Sequence, residues 1–166
     1  SALSVVRQQG LNTLCASALE LPVEDNQVDL ILCLDLIEHV KEDYKLVKEI
    51  SRVLKKEGKV ILTTPMQNGL SFPFLSREEV ENIEGEWSHV RKGYSLNSIE
   101  KLFENNNLVI EKTSKYLNYF SRFAYSFNRF SRIPIRVNSF LYLAIIRLEP
   151  YIKYGAEEHI IIGKKV

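Results

Sequence analysis

The spacing of apolar positions changes along the chain, and each change marks an element. Residues 28–34 form a nearly continuous apolar run, as expected of a parallel strand covered on both faces. Tyr44, Val47, Ile50, Val53 and Leu54 then recur every three or four positions among Lys, Glu and Asp. This predicts an amphipathic helix lying on a sheet, with Gly58 ending it. Residues 59–64 read as the next strand, which Pro65 blocks from continuing. Ahead of these, residues 1–9 have the pattern of a helix's last turns, with Gly10 as a left-handed cap, and residues 11–16 read as a short strand. Strand, strand, helix, strand points to an α/β layered fold.

Residues 66–94 hold Gly69, Pro73, Gly85 and Gly93 and show no clear period. A connection of that length is expected to be a lid or a binding segment. Ser95 is placed to cap a helix through Leu96, Ile99, Leu102 and Phe103, residues 108–113 alternate as a strand, and residues 159–163 form an Ile-rich last strand. Between these strands, residues 116–154 contain 11 of the 17 aromatic residues. That concentration sets the segment apart as a helical insertion, with Phe120, Phe123, Phe127 and Phe130 on one face and Pro134 dividing two helical halves. Arg122, Arg129, Arg132, Arg136, Arg147 and Lys153 stand against Glu149 alone, a local charge of 6 minus 1, or +5. Such a segment packs its Phe face on the domain, covers a hydrophobic acceptor, or touches an anionic membrane surface. The expected organisation is one partial α/β domain from residues 1–115 and 155–166, with 116–154 inserted as a lid or substrate-binding element.

Charge and cysteines narrow the partners. With 22 basic and 21 acidic residues, the 166-residue chain has no global pull toward nucleic acid or anionic lipid. No nucleic acid partner is expected. Cys15 and Cys33 have no metal-like spacing and fit reduced thiols of a cytoplasmic protein. No apolar stretch reaches the roughly 18 residues of a spanning helix, and the first residues lack the pattern of a signal peptide.

The most specific stretch is Asp35-Leu36-Ile37-Glu38-His39-Val40 at the end of the first strong strand, followed by the amphipathic helix, Lys56-Glu57-Gly58, and a strand ending in Thr63-Thr64-Pro65. It resembles the second half of a class I S-adenosylmethionine-dependent methyltransferase, and the Glu-His-Val triplet is similar to the ubiquinone-pathway O-methyltransferase group. The resemblance covers residues 11–113 and the final strand. It implies a Rossmann-like sheet, here N-terminally incomplete, because that family carries a glycine-rich loop further upstream and no such cluster occurs in this sequence. It also implies S-adenosylmethionine as cofactor, with Ser17, Ala18 and Leu19 near the adenine and Cys33, Leu34 and Asp35 beside the methionine moiety. Ser17 stands where the family more often has Asp. Unpaired sheet edges would favour a homo-oligomer.

A sulfonium methyl donor is already activated, so the protein's main task is alignment of the acceptor. A hydroxyl acceptor gains from a base, and the family geometry places His39 and His89 for that role. His159, at the start of the last strand, is expected to be structural. Two other readings of the same residues stand beside this one. Glu38 and His39 can simply open the next helix, or, as the resemblance implies from those relatives that hold a divalent ion, Asp35, Glu38, His39 and His89 can hold one here. The expected function is methyl transfer to a hydroxyl, amine or carboxylate of a small or lipid- or sugar-linked metabolite, against a non-catalytic oligomeric or binding module on the same scaffold.

Overall fold

A computed structural model describes residues 9–130, 143–144, 147–148, 151–152 and 154–166. The elements are β1 (Val28–Leu34), α1 (Asp43–Val53), β2 (Leu54–Pro65), α2 (Arg77–Glu86), α3 (Leu96–Glu104), β3 (Leu108–Tyr116), α4 (Tyr119–Phe130) and β4 (Glu158–Lys165), with a 3-10 turn at Ile37–His39. The sheet order is β1-β2-β4-β3. β1 and β2 are parallel, and β4 runs antiparallel to both β2 and β3. The ends of β1, β2 and β3 therefore meet the start of β4 on one side of the sheet. There the register sets Glu158 opposite both Pro65 and Tyr116.

The helical stripe and the strand faces close one core. Leu46, Val47 and Ile50 of α1 and Ile99 and Phe103 of α3 pack with Val60, Leu62, Leu108 and Ile161 of the sheet. Each fully buried side chain of this size contributes roughly 1.5–3 kcal/mol. Ser95 caps α3 as its sequence predicts, accepting from Ser98 N at 3.1 Å. α3 lies so close to β4 that a Cβ on Gly163 would sit 3.0 Å from Phe103 Cδ2 and closer still to Cε2.

Several expectations are corrected. Residues 11–16 form no strand, because nothing among the described residues offers their backbone a ladder, and Leu11 and Leu14 are exposed. β1 is covered on one face only, with Leu30, Leu32 and Leu34 at 51%, 60% and 53% exposure. Tyr44 also points outward. α1 ends at Val53, and Leu54 already pairs with Val28. The register resumes at Leu30 with Lys59, so Lys56, Glu57 (φ +66°) and Gly58 lie in an irregular stretch of β2 rather than at a helix end. The long connection contains α2, closed at its start by a capping box between Ser76 and Glu79.

The insertion also differs from its expected packing. α4 turns Ser121, Arg122, Ala124 and Ser126 inward and leaves Phe120 and Phe123 outward. Arg122 decides this orientation. Its guanidinium pairs with Glu157 at 3.0 Å and donates to Gly155 O at 2.6 Å and to Ser71, so the charge is satisfied only on the inner side. Arg122 is therefore not part of a free basic surface. The side chains of Phe127, Arg129 and Phe130, the division at Pro134, Arg132, Arg136 and Lys153 lie outside the described residues, as do all but the last residue of the helix expected over residues 1–9. Gly10 does hold the left-handed conformation, at φ +78°.

Candidate functional site

Asp35 is placed by an unusual backbone. It follows β1 directly and sits at φ +45°, a region L side chains rarely adopt. Its N–H donates to Thr63 Oγ1 at 2.9 Å, and the Thr63 hydroxyl donates back to Asp35 Oδ1 at 2.7 Å. The Tyr116 hydroxyl, at the end of β3, donates to the same oxygen at 3.0 Å. Burial, then the neighbouring Glu158 and Asp35 carboxylates, push the Tyr116 phenol well above its ordinary range, so it remains a donor. Three strand ends thus converge on one carboxylate.

The 3-10 turn after β1 turns Glu38 into the interior, where it is 1% exposed and accepts from Thr64 Oγ1 at 3.3 Å. Burial raises its pKa, and Asp35 adds to the effect. His39 Nδ1 lies 3.3 Å from Ser88 O, a contact in which the ring must donate, so Nε2 is left as the accepting nitrogen. His89 meets His39 edge to face, with ring centroids 4.7 Å apart. Burial, then the His39 charge, lowers the His89 pKa. His89 Nδ1 is buried and has no hydrogen-bond partner.

These groups line a cavity of about 260 Å³ beyond the strand ends, closed by Pro65, Leu70, Phe72, Trp87, Leu117 and Glu158. In open parallel sheets ligands bind at this end. Phe72 and Trp87 stand edge to face at 6.4 Å, which gives the cavity an aromatic wall. That wall is anchored through Ser71, which meets Glu157 and Arg122.

The structure brings Asp35, Glu38, His39 and His89 to one cavity and distributes the other expected site residues elsewhere. Cys33 is buried in the core, its thiol pushed up to about 12 chiefly by burial. Leu34 lies on the open face of β1. Ser17 accepts from Leu19 N within its own turn, while Ala18 and Leu19 pack on the core. That turn is tied to α1, since Leu21 N donates to Glu49 and Arg52 donates to Leu21 O. Glu38 and His39 do not open α1, which starts four residues later at Asp43.

Of the four expected metal ligands, Glu38, His39 and His89 offer donor atoms within 4.8 Å of one another. This carboxylate and two imidazoles fit a divalent ion. Asp35 stands outside that group, committed to Thr63 and Tyr116. Sequence reading passed over Tyr116, Thr63, Phe72, Trp87, Leu117 and Glu158, which are brought to the site only by strand register and by the fold of the 66–94 segment.

The family model described as "Methyltransferase domain" matches residues 1–62. The uncharacterized protein MJ0638 of Methanocaldococcus jannaschii is 42% identical over 69 residues, which is 42% of this chain and 28% of that protein. Geranyl diphosphate C-methyltransferase from Streptomyces coelicolor A3(2), solved with Mg2+, geranyl diphosphate and S-adenosyl-L-homocysteine, superposes with a TM-score of 0.62 at 15% identity, over 99% of this chain and 56% of that one. The [4+2]-cyclase SpnF superposes with a TM-score of 0.57 at 17% identity, over 99% of this chain and 60% of that one. The fold is thus the Rossmann-like methyltransferase fold, and the matched segment supports a class I methyltransferase. The chain spans just over a quarter of the curated relative it matches.

Proposed function

We propose that the protein transfers a methyl group from S-adenosylmethionine to a small acceptor, or to the head of a lipid- or sugar-linked one, seated in the cavity beyond β1 and β2. The observation that carries this reading is the convergence of Asp35, Glu38, His39 and His89 on one aromatic-walled cavity at the strand ends of a methyltransferase fold. Bound beside this cavity, S-adenosylmethionine would supply a methyl group on a sulfonium that needs no further activation. The chain's own residues position the acceptor and take up its proton. Phe72, Trp87 and Leu117 hold its apolar part, and His39, with Nδ1 donating to Ser88 O, presents Nε2 as the base. His89, whose pKa is lowered chiefly by burial, offers a second proton-accepting position. The outward Phe120 and Phe123 beside exposed Phe74 fit contact with a membrane holding an apolar acceptor.

The presence of a [4+2]-cyclase among the structural neighbours shows that this fold does not by itself dictate methyl transfer. The experiment is incubation with methyl-labelled S-adenosylmethionine and a metabolite and lipid extract. Label is expected in a non-protein product, with the rate reduced about 100-fold in His39→Gln, the size of a lost general base. Absence of transfer by a folded chain would favour the non-catalytic binding module.

A further inference from the structure

The charges around the cavity are one-sided. Asp35, Glu38 and Glu158 line it together with two histidines, and no lysine or arginine among the described residues does. Glu38 and Glu158 are 1% and 7% exposed, so their field is weakly screened by water. The nearby cations are committed elsewhere. Arg91 bonds to Asp43, Tyr94 and the carbonyls of Val40 and Lys41, and Arg122 to Glu157, Ser71 and Gly155.

The remaining walls are apolar, with Pro65, Leu70 and Leu117 beside two aromatic rings. Trp87 and Phe72 present ring surfaces that attract cations through their quadrupoles. His89 Nδ1 is buried with no hydrogen-bond partner, and with the proton on Nε2 it accepts from an N–H. Carboxylates, aromatic faces and an unfilled acceptor call for a ligand that is positively charged and rich in N–H donors. A carboxylate or phosphate would meet repulsion from every charged group here.

We infer that the acceptor end bound in this cavity is an organic ammonium, so that the group methylated is an amine nitrogen. This rests on the methyl-transfer reading and specifies its acceptor. The ammonium sits against Asp35 and the Trp87 and Phe72 rings, and its proton passes to His39 Nε2, leaving a neutral amine with a free lone pair and an imidazolium on the enzyme. Two other cations share the chemistry: the ammonium of the cofactor's methionine end, and a divalent ion on Glu38, His39 and His89.

The test is a titration of the full chain, followed by the ring-proton NMR signals of His39 and His89, with benzylamine, benzyl alcohol and benzoate at neutral pH. A single ring fits, since a cavity of about 150 Å³ already holds benzene. Benzylamine is expected to shift both histidines saturably and benzyl alcohol to bind about tenfold more weakly or less, with no response to benzoate. Asp35→Asn and, separately, Glu158→Gln should each weaken benzylamine about tenfold while unfolding cooperatively. Equal binding of alcohol or benzoate overturns the inference. So does displacement of benzylamine by S-adenosylhomocysteine, or by Zn2+ or Mg2+. Benzylamine binding without any S-adenosylhomocysteine binding would instead remove the methyl-transfer reading and leave the cationic site in place.

Discussion

Replacing Asp35 in turn by Gly, Asn and Ala separates its backbone from its carboxylate. At φ +45° an Ala carries a left-handed penalty of roughly 1–2 kcal/mol that Gly avoids. All three variants lose the Thr63 and Tyr116 bonds to the carboxylate in whole or in part, worth about 0.5–1.5 kcal/mol each. Gly gives back roughly 0.5–1 kcal/mol through its freer unfolded chain. Asn tolerates the left-handed region and keeps a side-chain oxygen for Thr63 and Tyr116. The expected stability order is Asn first, Gly about 1.5–4 kcal/mol below it, and Ala lowest by a further increment of up to about 1.5 kcal/mol. Urea unfolding followed by the fluorescence of the single tryptophan, Trp87, measures it. Ala as stable as Asn would refute the left-handed placement of Asp35, and with it the way β1 presents the carboxylate. All three variants should still weaken benzylamine binding about tenfold, since none restores the negative charge.

Further outcomes follow from other contacts. Gly163→Ala forces the Phe103 ring aside and should cost about 1–3 kcal/mol in urea unfolding. Phe103→Leu should recover part of that loss in the double variant, a non-additivity expected of residues in contact. His89 and His159 are both held below the ordinary 6.5 by burial. A depressed histidine pKa means stability that is complete above 6.5 and declines as pH falls through the folded values, whereas the raised Glu38 acts oppositely, its contribution complete below 4.5 and lost as pH rises through its folded value. NMR titration showing His89 at or above 6.5 would contradict the buried placement. Phe120→Ser with Phe123→Ser should abolish co-sedimentation with anionic vesicles at low salt if these outward rings touch lipid, and unchanged sedimentation would exclude them.

The parts of this fold that follow local rules were legible in the sequence. The apolar run of β1, the stripe of α1, the Ser95 cap and the Ile-rich β4 each depend on neighbours a few residues away, and each appears where its pattern places it. α2 was also signalled, by Ser76 and Glu79 three residues apart, but the glycines and proline around it masked the period. What sequence could not convey is non-local. The bareness of one β1 face depends on what lies across the sheet, not on Leu30, Leu32 and Leu34 themselves. The inner side of α4 carries the Arg122–Glu157 ion pair, and Phe120 and Phe123, two of the Phe that the sequence pattern set on one face, lie outward.

The candidate site divides the same way. Asp35, Glu38 and His39 were visible because they are contiguous after a strand, and His89 because histidines are few. Tyr116 bonds Asp35 from 81 positions away, and the strand register sets Glu158 opposite Tyr116. The aromatic wall belongs to a segment whose fold gave no periodic signal.

If the strand ends form a methyl-transfer site, the chain binds the demethylated form of the cofactor. Calorimetric titration of the chain with S-adenosylhomocysteine tests it most directly. One-site binding in the micromolar range, about 8 kcal/mol, is expected. No detectable binding by a chain that still unfolds cooperatively would contradict it.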